Sequence, residues 1–468
     1  MNLPRLTRAI ARPSTLPERI LQFGGGNFLR AFAGELIDRA NEAGLGAGRI
    51  VTVQSVSKER GQVMADQDGL CTVLTRGMEQ GRQVDQSRLL TCFSRSLAAS
   101  DGADWAAILR LAQDPGLRVV LSNTTEAGVH FGGETRPGTS TAAASFPGKL
   151  CQVLWARWSA LGRQAPPLAI IPCELLEDNG SLVHRAVLLA AQTWGLPDEF
   201  QTWVTEGNAF VDTLVDRIVP GFPKEEAVAL GQRLGYEDQL LTVAEPYHLW
   251  VLRGPAWVRE VFPVDRVGNV VWCDDLKPYR VRKVRVLNGA HTAMALVGRL
   301  AGVATVGEAL ADSVVGPAII RLLEREVVPT LGADDGYVAA VLDRFRNPFL
   351  KHQLADISLN STAKWRARLL PILQDNVAAG RDSPLIVISL ASLIATYRGG
   401  RVAVRDEASI LAAWMHHVPD SRTGLAALLA DHTLWGRDLR PLVPLDALAL
   451  ALATIRQHGV RTLLQDLP

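Results

Sequence analysis

The sequence predicts an α/β protein: a doubly wound, mostly parallel sheet in the N-terminal half, followed by a mainly α-helical domain. Two observations predict it. In the first half, short β-branched runs alternate with helical patterns, the order that builds parallel strands joined by crossover helices. From about Val281 onward, apolar residues instead recur at helical spacing, with Gly and Pro at the breaks. The pattern changes near residues 274–279, where polar residues and Pro278 interrupt it, so the domains are expected at 1–276 and 277–468.

Taken in order, residues 19–23 (RILQF) form an apolar run that ends at Gly24, as a first strand would. Residues 28–43 carry the spacing of an amphipathic helix. Residues 49–54 (RIVTVQ) predict a second strand, and 117–122 and 168–172 predict buried strands further on. In the second half, helices are expected over 318–327, 336–346, 410–415 and 445–455. The apolar stretch 385–397 is too short to span a bilayer, which takes about 20 residues, and predicts a buried helix.

Composition narrows the function. The chain has 468 residues, and 49 basic against 48 acidic side chains leave a net charge of +1, which argues against a nucleic-acid binder. No apolar run is long enough for a membrane anchor. The five cysteines (Cys71, Cys92, Cys151, Cys173 and Cys273) are odd in number and never in CxxC spacing. A disulfide framework or structural zinc site is therefore not expected, and a reducing cytoplasm fits best.

Phe23-Gly24-Gly25-Gly26-Asn27-Phe28 follows the first strand and opens the first helix. A dinucleotide pyrophosphate binds at such a turn, against backbone N–H groups at a helix N-terminus. Gly24 permits the tight turn and Gly26 lets the backbone approach the phosphates. The third glycine of GxGxxG is replaced by Leu29, but the strand–helix–strand setting supports a Rossmann-type cofactor site. Arg30 is expected either to approach the pyrophosphate or to cap the turn. At the end of the second strand, where NAD enzymes place Asp or Glu, this chain has Gln54 and Ser55. An amide can still hydrogen-bond a ribose hydroxyl. Lys58 and Arg60 follow, either as surface charges or as partners of a 2′-phosphate, so NAD is expected and NADP stays open.

Lysine usage points to the chemistry. The chain has only seven lysines, so one retained among so many arginines is a candidate proton donor: an amine can release its proton at working pH, a guanidinium cannot. Lys283 has the most suggestive surroundings, with Asn288 and His291 following it. On a regular helix Lys283 and His291 would lie about 80° apart and about 12 Å along the axis. Read from spacing alone, the segment is also compatible with a basic helix start, a capping Asn and a buried His.

Lys283-x4-Asn288-x2-His291 resembles the signature of the polyol-specific long-chain dehydrogenases, the mannitol dehydrogenase family. The resemblance extends along nearly the whole chain. It includes GGGNFLRA at the turn, SNTTEAG from Ser122, VDRI from Val215, RFRNP from Arg344, and Lys364 in NSTAK. It implies hydride transfer with NAD and no metal. Lys283 would be the general acid/base, Asn288 the donor to the reacting oxygen, and His291 the group that orients the substrate. It also implies cofactor contacts at Asn123 and Thr124 and substrate contacts at Lys364. Glu126 would bind substrate, gate proton exit or cap a helix.

SNTTEAG, PCELLEDNG, AEPYHLW and KVRVLNGAHTAM are similar to the family branch that interconverts D-tagaturonate and D-altronate. Fructuronate and polyol oxidation are the alternatives within the family, and a catalytically silent NAD-binding regulator is the alternative outside it. Three departures from the polyol pattern stand out. Leu175 replaces a second oxyanion Asn, Asp356 replaces an arginine before Lys364, and Arg280 replaces an acid before Lys283. Arg280 either favours an anionic substrate such as a uronate or faces solvent. A small sugar acid or polyol is the expected partner, and the oligomeric state is left open.

Overall fold

Six parallel strands form the main sheet. Their spatial order is Phe93–Ala98, Arg49–Gln54, Glu18–Phe23, Val119–Ser122, Ala169–Pro172, Ala209–Phe210. Numbered along the chain this is 3-2-1-4-5-6, the Rossmann arrangement, whose strand order reverses beside the first strand. The computed structural model describes residues 3–54, 58–332, 336–400 and 402–465, and the side chains of 58–60 and 126 lie outside that description.

The strands read as continuous apolar runs because helices cover both faces of the sheet. Leu21, Phe23, Val51, Val53 and Val120 point into one core, whereas Ile20, Ile50, Val119, Leu121 and Ile171 point into the other. Each such side chain, fully buried, contributes about 1.5–3 kcal/mol. The second strand has the expected bounds, Arg49–Gln54, and the fourth begins two residues later than expected, at Val119.

Two small sheets were not expected. One joins Thr242–Ala244, Cys71–Glu79 and Arg82–Leu90; the other joins Val270–Trp272, Leu249–Arg253 and Asp212–Asp216. Arg82–Leu90 is polar and largely exposed, an edge strand without the alternation that would reveal it.

The chain divides into two units. The first comprises Met1–Arg76 with Val84–Leu276, and the second Gly77–Gln83 with Lys277–Pro468. In the second, Gly81 donates its N–H to Asp343 at 3.0 Å. The second unit is helical, as expected. Pro384–Gly399 is buried from Leu385 through Thr396 and packs against Gly289–Leu300 and Leu445–His458.

The expectation of regular helices needs correction at three places. Arg30–Gly34, Val284–Asn288 and Leu322–Val327 are π turns inside longer helices. A π turn adds one residue to a helical turn and occurs often at functional sites. One extra residue leaves apolar periodicity nearly intact, so sequence spacing does not reveal it.

Candidate active site

In the first unit the glycine turn sits where strand order reverses. Gly24 has φ of +106°, a conformation that strains any residue with a Cβ, and its N–H donates to the Val53 carbonyl at 3.0 Å. Gln22, which sequence reasoning missed, donates its side-chain amide to the Gly24 carbonyl at 2.8 Å. The tightest approach falls at Gly25, where a Cβ would lie 2.1 Å from Gln54 Nε2. At Gly26 a Cβ would meet no protein atom within 4 Å, which leaves room for a ligand.

Arg30 is buried and turned inward. It donates to the Gly25 carbonyl, to Asn27 Oδ1 at 2.6 Å and to Thr242 Oγ1 at 3.1 Å. Of the two roles expected for Arg30, this geometry is that of the cap. A cavity of about 260 Å³ opens here, lined by Gly25, Gly26, Asn27, Arg30, Gln54 and Met64 among others. Gln54 ends the second strand beside it, with Nε2 3.3 Å from Ser96 Oγ. The turn, the cavity and the strand-end amide fit a dinucleotide: backbone for the phosphates, an amide for the ribose.

Other expected cofactor residues have different roles in the structure. The Phe23 side chain is fully buried against Phe146, with ring centroids 5.1 Å apart, so only its backbone can serve a ligand. Phe28 stacks on Phe32 at 5.0 Å. Asn123 binds the Cys173 carbonyl at 2.7 Å, and its own N–H reaches the Phe23 carbonyl at 3.2 Å, tying the fourth strand's end to the turn. Thr124 gives both its N–H (2.9 Å) and its hydroxyl (3.1 Å) to Glu174, whose carboxyl is pushed up by burial against those hydrogen bonds. Glu174 was missed; its signal was an acid two residues beyond the end of an apolar strand. Ser55 lies outside the described residues, as do the side chains of Lys58, Arg60 and Glu126.

In the second unit, Lys283, Asn288 and His291 occupy one helical rod. It is built of Lys277–Lys283, the π turn Val284–Asn288 and Gly289–Leu300. The Gly289 N–H reaches back to the Val284 carbonyl, an i→i−5 bond. With one residue added, eight positions turn as seven do in a regular helix, so Lys283 and His291 lie about 20° apart instead of about 80°. Asn288 falls within about 60° of both. The π turn thus puts all three on one face.

Their environments differ. Lys283 and Asn288 are half-buried, whereas His291 is buried, its ring tilted on Phe345 at 4.6 Å and edge-on to His352 at 5.3 Å. Among the described residues the Asn288 side-chain amide has no hydrogen-bond partner. Its carbonyl accepts from Thr292 Oγ1 at 2.9 Å and from Arg368 at 3.5 Å. Lys364, on helix Ser361–Arg368, donates to the Ile357 carbonyl at 2.8 Å. Burial, reinforced by Arg368, lowers its pKa, and burial together with Lys364 lowers that of His352. Arg280 is half-buried, one turn before Lys283. Leu175 is 70% exposed and offers no donor in place of the missing Asn.

Comparison with known proteins gives the same division. Residues 18–263 match the mannitol dehydrogenase Rossmann domain, and 275–445 match the mannitol dehydrogenase C-terminal domain. The chain belongs to the mannitol dehydrogenase family. Its Rossmann sheet and its Lys–Asn–His rod are therefore parts of an oxidoreductase. It is 41% identical to an altronate oxidoreductase of Halalkalibacterium halodurans, over 96% of this chain and 93% of that protein. It is 40% identical to that of Cronobacter sakazakii, over 95% and 96%. Among solved structures, substrate-free D-sorbitol dehydrogenase shares the fold with TM-score 0.80 and 22% identity, over 98% of this chain and 100% of that one. Mannitol 2-dehydrogenase of Pseudomonas fluorescens, solved with NAD and D-mannitol, follows with TM-score 0.67 and 24% identity, over 99% and 96%.

Proposed function

We propose that this chain is an NAD-dependent tagaturonate reductase, interconverting D-tagaturonate and D-altronate. The observation that carries the chemistry is the π turn that puts Lys283, Asn288 and His291 on one face. The substrate follows from the altronate oxidoreductases, about 40% identical over nearly the whole chain. The cofactor follows from the fit of the glycine turn and Gln54 to a dinucleotide.

When bound, the reduced nicotinamide supplies a hydride to the keto carbon. The rest of the reaction falls to side chains. Lys283 gives a proton to the carbonyl oxygen as negative charge develops there, and takes it back in the oxidative direction. The unpartnered Asn288 amide donates to that oxygen and stabilises the developing charge. His291, held between Phe345 and His352, orients the substrate. Lys364 keeps protons free for substrate hydroxyls. The five cysteines are free thiols and, among the described residues, no helix is long and apolar enough to cross a membrane; both accord with a cytoplasmic enzyme.

The test follows nicotinamide absorbance with NADH and with NADPH, using tagaturonate, fructuronate and fructose in parallel. The expected outcome is preferential NADH oxidation with tagaturonate. Preference for fructuronate or fructose would keep the Lys283 chemistry and overturn the substrate. Binding of NADH without turnover of any of the three would favour a silent regulator.

A further inference from the structure

Helix Ser361–Arg368 ends on a cation that the mechanism above does not use. Arg368 is half-buried, and burial lowers its pKa. Among the described residues its hydrogen bonds run from Nη1 alone, to Thr292 Oγ1 at 3.1 Å and to the Asn288 carbonyl at 3.5 Å. Among the described residues it has no carboxylate within ion-pair distance. Lys364, one turn earlier on the same helix face, donates to the Ile357 carbonyl and, among the described residues, has no carboxylate within ion-pair distance, Asp406 acting on it from farther away.

Buried cations in proteins are normally paired, and an unpaired one is costly. Two cations one turn apart, both partly desolvated and neither in an ion pair among the described residues, form a site for an anion. Arg368 Nε and Nη2, without a hydrogen-bond partner among the described residues, make the edge of the guanidinium fork that a carboxylate binds bidentately. Its Nη1 contact places the guanidinium beside the backbone carbonyl of Asn288, the residue whose amide is assigned to the reacting oxygen. A uronate has a keto group and a carboxylate on one short chain, so it needs an anion site near the group that holds its reacting oxygen.

We propose that Arg368, assisted by Lys364, binds the substrate carboxylate and selects sugar acids over neutral ketoses. The assignment rests on the uronate reading above. It places carboxylate recognition at Arg368, a position not among the expected substrate residues, where Arg280 and Lys364 had been.

The experiment compares wild type with R368A and R368K, measuring kcat and KM for tagaturonate and for fructose, the NADH dissociation constant, and thermal melting. R368A should lose about 100-fold in kcat/KM for tagaturonate, mostly through KM. NADH binding should stay nearly unchanged, fructose kcat/KM and melting should fall only slightly as the weak Asn288 contact is lost, and R368K should fall between. Added guanidinium should restore R368A with tagaturonate and not with fructose. If tagaturonate and fructose decline together, Arg368 merely supports Asn288 and the assignment is overturned. An unchanged KM for tagaturonate in a well-folded R368A overturns it too. A wild-type enzyme that prefers fructose instead overturns the substrate reading itself, and does so before any variant is made.

Discussion

Each unit has a π turn held by an arginine, and the two arginines differ in one respect. In the first unit Arg217 donates to the Ala31 carbonyl of the turn Arg30–Gly34 and pairs with Glu35 at 2.6 Å, both side chains buried. In the second, Arg368 donates to the Asn288 carbonyl and, among the described residues, has no acid within ion-pair distance. The same backbone task is thus done once by a neutralised arginine and once by an open one. The first pair belongs to the scaffold of the glycine turn; the second leaves a charge for a ligand. The polar atoms around the two sites follow suit. Arg30, Gln22 and Asn123 hydrogen-bond backbone carbonyls and leave the cofactor to backbone N–H groups, whereas the Asn288 amide stays unpartnered among the described residues.

The largest test separates the two sites by function. If chemistry lies in the second unit's side chains and cofactor binding in the first unit's turn, Lys283→Ala should lower kcat by about 10³-fold or more. Its NADH dissociation constant, read by fluorescence titration, should stay within a few-fold of wild type. Loss of both together would break the comparison.

Arg217 should behave as a stability residue where Arg368 behaves as a binding one. Arg217→Ala leaves the buried Glu35 with the partly exposed Arg39 as its remaining ion-pair partner among the described residues, so the cost in urea unfolding should be about 3 kcal/mol, the low end for breaking a buried pair. The pH dependence has a definite sign. Burial pushes the Glu35 carboxyl up, but Arg217 and Arg39 outweigh it and hold the carboxyl below its ordinary 4.5. The pair therefore stabilises the fold at pH above about that value, and the contribution is lost as pH falls through the depressed folded value. Unfolding measured from pH 7 down to about 2 should show this acid-side loss, beginning near pH 4.5, in wild type and a flatter profile in Glu35→Gln.

Gly24→Ala tests the turn with a smaller effect. The φ of +106° strains any Cβ, and the added carbon would stand 3.3 Å from the Asn123 carbonyl oxygen. The strain is worth about 1–3 kcal/mol, so NADH affinity should fall about 10-fold with kcat nearly kept. A fall in kcat at saturating NADH, with affinity unchanged, would show that the turn does not carry the cofactor.

What the sequence disclosed and what it concealed divide along physical lines. Arg49–Gln54 was legible to the residue because a strand buried on both faces must be apolar throughout. Arg82–Leu90 was illegible because an exposed edge strand obeys no such rule. Lys283, Asn288 and His291 stood out as residue types, yet their alignment depends on one added residue in a helical turn, which changes no pattern. Arg368 lay hidden in KWRAR, where basic residues at a helix C-terminus normally complement the dipole. Only its partial burial against Asn288 and Thr292, a fact of three dimensions, distinguishes it from the exposed Arg366.

The smallest test concerns Gln54, the one position where this chain lacks the acid common to NAD enzymes. Its amide lies against Gly25 and within 3.3 Å of Ser96 Oγ, at the strand end beside the cavity. An amide offers a ribose one acceptor oxygen, whereas a carboxylate accepts from both hydroxyls and repels a 2′-phosphate. Ser96 can reverse its hydroxyl to donate to a carboxylate, so Gln54→Glu should fold normally. The ratio of kcat/KM with NADH to that with NADPH should then rise by about 3- to 10-fold, the range of one hydrogen bond plus one repulsion at a partly solvated site. A ratio that does not move places the ribose away from Gln54. The second strand's end would then be scaffold, as Arg217 is, and the cavity's specificity would lie with residues beyond it in the chain.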